Sequence, residues 1–143
     1  MSDAAARFLT PCRARFLEEW DGYRQKIALL EELRYASPLL GRELVVPAGF
    51  VSDRESRPTA GPITGPERTA CGVLHDWLYA SHVVEKVLAD AIYREALAAT
   101  GLDPVWVDQR YNAVAFYGDG AYESGPSRRR ILAVAALVAG GAA

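Results

Sequence analysis

The chain has 143 residues, half of them hydrophobic, and 16 Lys and Arg stand against 18 Asp and Glu for a formal net charge of -2. That is enough apolar material for a buried core and too little length for two, so a single domain over 1–143 is expected, and the charge balance lacks the basic excess that a nucleic acid partner demands. Two cysteines, Cys12 and Cys71, are too few for a disulfide scaffold and lack the C-x-x-C spacing of a zinc or redox site.

The opening Met1-Ser2-Asp3-Ala4 has neither a basic stretch nor a long apolar run, so no signal peptide is expected. Residues 13–20 fit a strand or a short helix, and the pattern leaves both open. Two apolar-rich runs, 26–35 and 42–51, are joined by Ala36-Ser37-Pro38-Leu39-Leu40-Gly41, and the second is dense in valine. They predict an antiparallel β-hairpin over 26–51, with Pro47 pushing the second strand to an edge or a bulge. Residues 52–64 hold Pro58, Gly61 and Pro62 without apolar periodicity and read as a functional loop or flap.

Thr64-Gly65-Pro66-Glu67 has capping-box spacing, which predicts a helix over 65–80, broken at Ser81-His82. A second helix is expected over 83–99, with Val84, Val87, Leu88, Ala91 and Ala98 as its apolar face and Gly101 as its left-handed stop. The short break folds the two into an antiparallel helix hairpin. Asp103-Pro104 is an N-cap followed by proline, so a third helix should cover 104–117 and stop at Gly118. A turn-rich stretch over 119–127 leads to an apolar helix over 127–143. Its run from Ile131 to Ala143 is shorter than the ~20 residues of a transmembrane span. It reads as a buried helix, or as a membrane-surface contact through 128–143 following Arg128-Arg129-Arg130. The fold class is therefore α+β: a small antiparallel hairpin or sheet, then a three- to four-helix part, with 65–118 as the helical site region.

The chemically suggestive residues gather on His75-Asp76-Trp77-Leu78-Tyr79. Successive helical residues lie ~100° apart, so Cys71, His75 and Tyr79 share a stripe while Asp76 projects from the adjacent one. Gly72 and Ala80, one turn either side of Asp76, leave room for a metal ion, a backbone or a substrate. An imidazole and a carboxylate adjacent in sequence do not address one atom, so a division of labour follows: one binds a cation, the other handles a proton. Asp90, fifteen residues after His75, could return through the hairpin to hold the imidazole's second N–H; equally, it could pair with Arg94 on a solvated surface. His75 by itself also fits a satisfied core histidine. An unpaired Asp76 in mid-helix needs a partner or a role. Asp53, at the end of the strand entering the loop, is a second candidate cation ligand or a turn cap. His82 reads as solvated.

Val46-Pro47-Ala48-Gly49-Phe50-Val51-Ser52-Asp53, then Ser56 and Pro58, then His75-Asp76-Trp77-Leu78-Tyr79 and Ala89-Asp90 resemble the signature of domain of unknown function family 1353. The resemblance spans roughly 33–118; Arg54, Glu55, Arg57 and Ser52 depart from its usual pattern. That family is found in tailed bacteriophages and prophages, so the resemblance implies a phage origin, in host cytoplasm or virion, and a site without an assigned reaction. More distantly, Cys71, His75, Asp76, Tyr79 and Asp90 are similar to the C-x-x-x-H-D-x-x-Y helix and partner Asp of secreted phospholipases A2. There the His activates water, its neighbouring Asp binds calcium and the second Asp orients the His. The glycine-rich calcium loop of those enzymes is absent here, and Cys71 lacks a disulfide partner.

Two function classes follow. One is a metal-assisted hydrolase of lipid esters or cell-wall bonds, with His75 as base, Asp90 and Tyr79 beside it, and Asp76 and Asp53 as ligands to a divalent cation, Ca²⁺ first. The other is a non-enzymatic phage tail, neck or accessory protein whose His-Asp-Tyr cluster is a buried hydrogen-bond network; an inhibitor of a host factor is a third possibility. The partner is accordingly an unknown substrate or a phage or host protein.

Overall fold

Burial alternates with period two through Leu33-Arg34-Tyr35-Ala36-Ser37: the structure, a computed structural model, buries Leu33, Tyr35 and Ser37 while leaving Arg34 exposed and Ala36 half-buried. It describes residues 5–21, 24–53, 66–117 and Tyr122. The element order is β1 (Arg7–Phe8), β2 (Ala14–Asp21), β3 (Arg24–Leu29), β4 (Leu33–Ser37), β5 (Arg42–Val46), β6 (Val51–Ser52), α1 (Pro66–Ser81), α2 (Lys86–Ala99) and α3 (Pro104–Tyr117). This is an α+β fold, with two three-stranded antiparallel sheets ordered β1-β4-β5 and β2-β3-β6.

The expected hairpin over 26–51 is corrected. Each of its two runs is split, so the first supplies β3 and β4 and the second β5 and β6, and the halves join different sheets. The true hairpin is β4–β5, in register from Leu33↔Val46 to Ser37↔Arg42. Its turn closes on Gly41, whose φ of 71° suits a residue without a Cβ. β5 stops at the residue before Pro47, which has no N–H to continue a ladder. The chain then turns at Gly49, whose N–H donates to the Leu29 carbonyl, and β6 pairs with β3 through Ile27↔Ser52. Residues 13–20, left open between strand and helix, lie largely in β2, which pairs with β3 and carries an irregularity between Phe16 and Trp20.

α1 runs through the middle of the core. Ala70, Cys71, Val73, Leu74, Trp77, Leu78, Tyr79 and Ala80 are buried along it, and Asp76 is half-buried among them. A helix apolar on nearly every side has to be covered on nearly every side. α2 packs along it, α3 packs on α2, and β6 touches it. The face of α2 is corrected in part: Val84 is buried and Leu88 packs against the core, as expected. Val87 is 76% exposed and Ala98 is exposed, while Ala89, Asp90, Ile92, Tyr93, Ala96 and Leu97 are buried. The helix begins at Lys86, three residues later than expected, and its inner stripe follows Ala89, Ile92, Tyr93 and Ala96 at helical spacing.

α3 keeps the expected bounds. Asp103 caps it, accepting a hydrogen bond from the Val105 N–H at 2.9 Å. Gly101, at φ 80°, supplies the left-handed stop after α2. Glu95 on α2 clamps the helices to the first sheet: Oε1 accepts from the Tyr35 hydroxyl and the Ser37 hydroxyl, each at 2.8 Å, and Oε2 from the Leu39 N–H at 2.8 Å. Burial, then the Glu95 hydrogen bond, push the Tyr35 phenol far above its ordinary range. Neither Cys12 nor Cys71 is in a disulfide. The expected capping box at Thr64 and Glu67, the stop at Gly118, and the 119–127 and 127–143 segments lie outside the described residues, as does most of the 52–64 loop. Among the described residues, no helix is long and apolar enough to cross a membrane.

Leu74 is fully buried and Val87 is 76% exposed. Leu74→Ala should therefore lower stability by roughly 2–5 kcal/mol through lost burial and a residual cavity. Val87→Ala should change it by less than about 0.5 kcal/mol. Urea denaturation of both variants beside wild type checks the contrast.

Candidate functional site

His75 and Asp76 are neighbours on α1 that face different elements. Consecutive helical side chains diverge by ~100°, so His75 turns inward against α2 while Asp76 turns towards β6. The helix hairpin brings Asp90 back beside α1, with His75 Nε2 2.9 Å from Asp90 Oδ1. Tyr79 lies one turn beyond His75 on the same stripe, and its hydroxyl donates to the same oxygen at 2.5 Å. Lys86, one turn before Asp90 on α2, donates from Nζ to Oδ2 at 2.7 Å. Arg94, the alternative partner of Asp90, instead binds Asp108 at 2.6 Å and lies over the Tyr111 ring.

Asp90 is only 2% exposed. Burial by itself would raise its pKa, because a carboxylate loses hydration; hydrogen bonds from His75, Lys86 and Tyr79 outweigh that and hold it below the ordinary carboxylate range. The carboxylate is therefore ionised at neutral pH and can only accept, so His75 Nε2 carries the proton that points at it. That leaves Nδ1 as the ring nitrogen with a free lone pair. Among the described residues Nδ1 has no hydrogen-bond partner, and the residue keeps 8% of its exposure. The ring is held between Tyr79 and Tyr93, with centroids 4.1 and 4.5 Å away.

Asp76 has a different environment. Its Oδ2 accepts the Ser52 hydroxyl from the end of β6 at 2.6 Å, and the half-buried Asp53 follows Ser52 in the chain. The two candidate cation ligands thus come from α1 and from the residue after β6. Among the described residues, no group of three or more His, Cys, Asp and Glu side chains is placed to hold a metal ion.

Four partners escaped the sequence reading. Lys86 had a legible signal, since it lies four residues before Asp90. Ser52, Tyr93 and Tyr122 had none, because their contacts join positions far apart in the chain. His82, read as solvated, is exposed but engaged. It adopts φ 54°, stacks on Tyr122 at 3.9 Å with planes 7° apart, and directs Nε2 at the Tyr122 carbonyl at 2.6 Å. Tyr122 in turn donates its hydroxyl to the Val84 carbonyl at 3.1 Å and sets its ring edge-on to Tyr79. A ring that bridges the helix break at Val84 and the stripe at Tyr79 secures that corner of the site.

The family described as Protein of unknown function (DUF1353) matches residues 27–114. The chain belongs to that family. The matched span holds Ser52, His75, Asp76, Tyr79, Lys86, Asp90 and Tyr93, and ends before Tyr122. No curated protein and no solved structure gives a match.

The depressed pKa of Asp90 makes stability depend on acid. The unfolded carboxyl titrates at its ordinary 3.8, so the stabilisation from Asp90 is complete above that value and is lost as pH falls through the lower folded value. Urea midpoints measured from about pH 5 downward should therefore fall more steeply for wild type than for Asp90→Asn, which starts less stable and has no such group to titrate.

Proposed function

We propose that this protein is a hydrolase acting on ester-type bonds, with His75 as its general base and Asp90 as the group that orients it. The observation that supports this reading most directly is the single carboxylate oxygen, Oδ1 of Asp90, shared by His75 Nε2 at 2.9 Å and the Tyr79 hydroxyl at 2.5 Å. A donor relation of that kind fixes the imidazole tautomer and leaves Nδ1 to take a proton from water. As Nδ1 takes the proton, the water oxygen attacks the carbonyl carbon and the imidazolium is stabilised by the anion behind it; the tetrahedral intermediate then collapses, its ester C–O bond breaks, and the imidazolium gives the proton to the departing alkoxide, which leaves as the alcohol. Such positioned proton transfer contributes roughly 10²–10⁴-fold to a rate. Tyr79 holds Asp90 in register, and Tyr93 limits the tilt of the His75 ring.

The order Cys71, His75, Asp76, Tyr79 and Asp90 is similar to that of secreted phospholipases A2, which favours a lipid ester as substrate over a cell-wall bond. A phage origin suits either, since a phage meets both barriers. A divalent cation is the remaining part of this reading. Calcium takes 6–8 oxygen ligands, and Asp76, Asp53 and Ser52 provide two carboxylates and a hydroxyl, too few by themselves to hold one. No step is routed through a cation; Asp76 and Asp53 are the residues that would contact it.

A second reading has its own support. The His75–Asp90–Tyr79 cluster is sealed to 8%, 2% and 7% exposure, as expected for a buried hydrogen-bond network in a non-enzymatic phage virion or accessory protein.

The two readings part on His75→Ala and Asp76→Asn, made singly. As a hydrolase, wild type should act on phospholipid vesicles, peptidoglycan or p-nitrophenyl esters, and both variants should lose that activity under conditions where urea denaturation shows them still folded. As a structural network, each should lose about 1–3 kcal/mol of stability, with wild type inert on every substrate. For the cation, thermal melts with calcium, magnesium, zinc and chelator should show calcium raising the melting temperature, corresponding to roughly 2.7 kcal/mol at a hundredfold excess over its dissociation constant. Identical melts under all conditions would remove the cation from the reading.

A further inference from the structure

Lys86 is placed unlike an ordinary i,i+4 surface pair. Its side chain is only 16% exposed, and besides Asp90 Oδ2 at 2.7 Å its ammonium donates to the carbonyls of Val114 at 3.1 Å and Ala115 at 3.4 Å. An ammonium has three N–H donors, and among the described residues it finds a carboxylate oxygen and two carbonyls to accept from it. Val114 and Ala115 belong to the last turn of α3, where the final four carbonyls have no partner within the helix and carry its negative dipole end. The positive charge thus sits between a buried carboxylate and the electronegative end of another helix. Nor is it a device for stabilising α2 alone, since the cation precedes the anion, the weaker order for such pairs.

We propose that Lys86 is the positioning residue of the His75–Asp90 pair: it clamps Oδ2 to the end of α3, so that Oδ1 stays aimed at His75 and Tyr79. Its place in a reaction rests on the reading of His75 as a general base; the clamp itself does not. The consequence is that α3 belongs to the site although it sends no side chain to His75. Withdrawing its last turn would release the ammonium and let the carboxylate rotate. The groups that hydrogen-bond to the Asp90 carboxylate among the described residues are His75 and Tyr79 from α1 and Lys86 from its own helix, and the α3 carbonyls of Val114 and Ala115 reach Lys86.

The test is the pH titration of the Asp90 side-chain carboxyl carbon by NMR in wild type, Lys86→Met and Lys86→Arg. Losing a cation in direct contact should raise the Asp90 midpoint by roughly 1–3 pH units in Lys86→Met, and Lys86→Arg, which keeps the charge, should reverse most of that rise. A folded Lys86→Met whose Asp90 midpoint is unmoved would overturn the clamp. Should Lys86→Met fail to fold, wild type still decides: the ammonium protons of Lys86 should exchange slowly with water and show restricted rotation, and a freely rotating, fast-exchanging ammonium would refute the proposal. With a p-nitrophenyl ester as substrate, Lys86→Met should lower kcat on the order of 10²-fold with KM unchanged, the cost of misplacing a reacting group by about an ångström. A KM change alone would overturn the positioning role. A wild type inert on every ester, with the Asp90 shift present, would remove the hydrolase reading and leave the clamp intact.

Discussion

A carboxylate that is 2% exposed must be compensated, and Asp90 is compensated from α1 and α2, through a cation that is itself anchored to α3. α1 sends His75 and Tyr79 to one oxygen, α2 sends Lys86 to the other, and α3 presents its terminal carbonyls to the same ammonium. Removing one partner of a buried charge leaves the remainder uncompensated, which costs about 3–5 kcal/mol, far more than a surface pair is worth. The helix hairpin and the seating of α3 are therefore linked through a single side chain. Apolar packing determines that these helices associate; the requirement to satisfy Asp90 selects how they are aligned.

The same logic joins the helices to the sheet. Glu95 lies five residues after Asp90 on α2, and its two oxygens accept from Tyr35, Ser37 and Leu39 on β4 and its turn. One carboxylate orients α2 towards α1 and α3, the other towards the strands. Between them they fix the rotation of α2 about its axis, which its apolar residues do not settle, because alanines occur on both sides of the helix and Val87 faces solvent.

Two adjacent residues of α1, His75 and Asp76, have contrasting surroundings, and that contrast is what makes the region chemically suggestive. His75 lies among aromatic rings with its tautomer set by an anion. Asp76 lies half-buried against a serine hydroxyl at the end of β6, next to Asp53. An inward nitrogen with a lone pair and an outward carboxylate are complementary functions, and helical geometry separates them by rotation rather than distance. His82 and Tyr122 close the nearby corner of the helix break, where His82 holds a left-handed conformation that is uncommon outside glycine and in which histidine, like asparagine and aspartate, is enriched.

Local grammar in the chain was enough for the α+β class, for α3 with its Asp103 cap, for the helix break and Gly101, and for the shared stripe of His75 and Tyr79 with Asp76 beside it, because caps, glycines and helical spacing act over a few residues. What the tertiary structure decided acts over longer separations. The runs at 26–35 and 42–51 carry enough β-forming residues for a simple hairpin, yet each divides between two sheets, since pairing of β3 with β6 and of β1 with β4 depends on partners well away in sequence. The inner face of α2 was misread because apolar content did not mark the buried side; Asp90 and Tyr93 lie there, while Val87 faces solvent. Whether Asp90 would choose His75 or Arg94 was equally open, as helix periodicity permits both. The choice fell to His75 because only there could one buried carboxylate gather donors from two helices and a cation tied to a third.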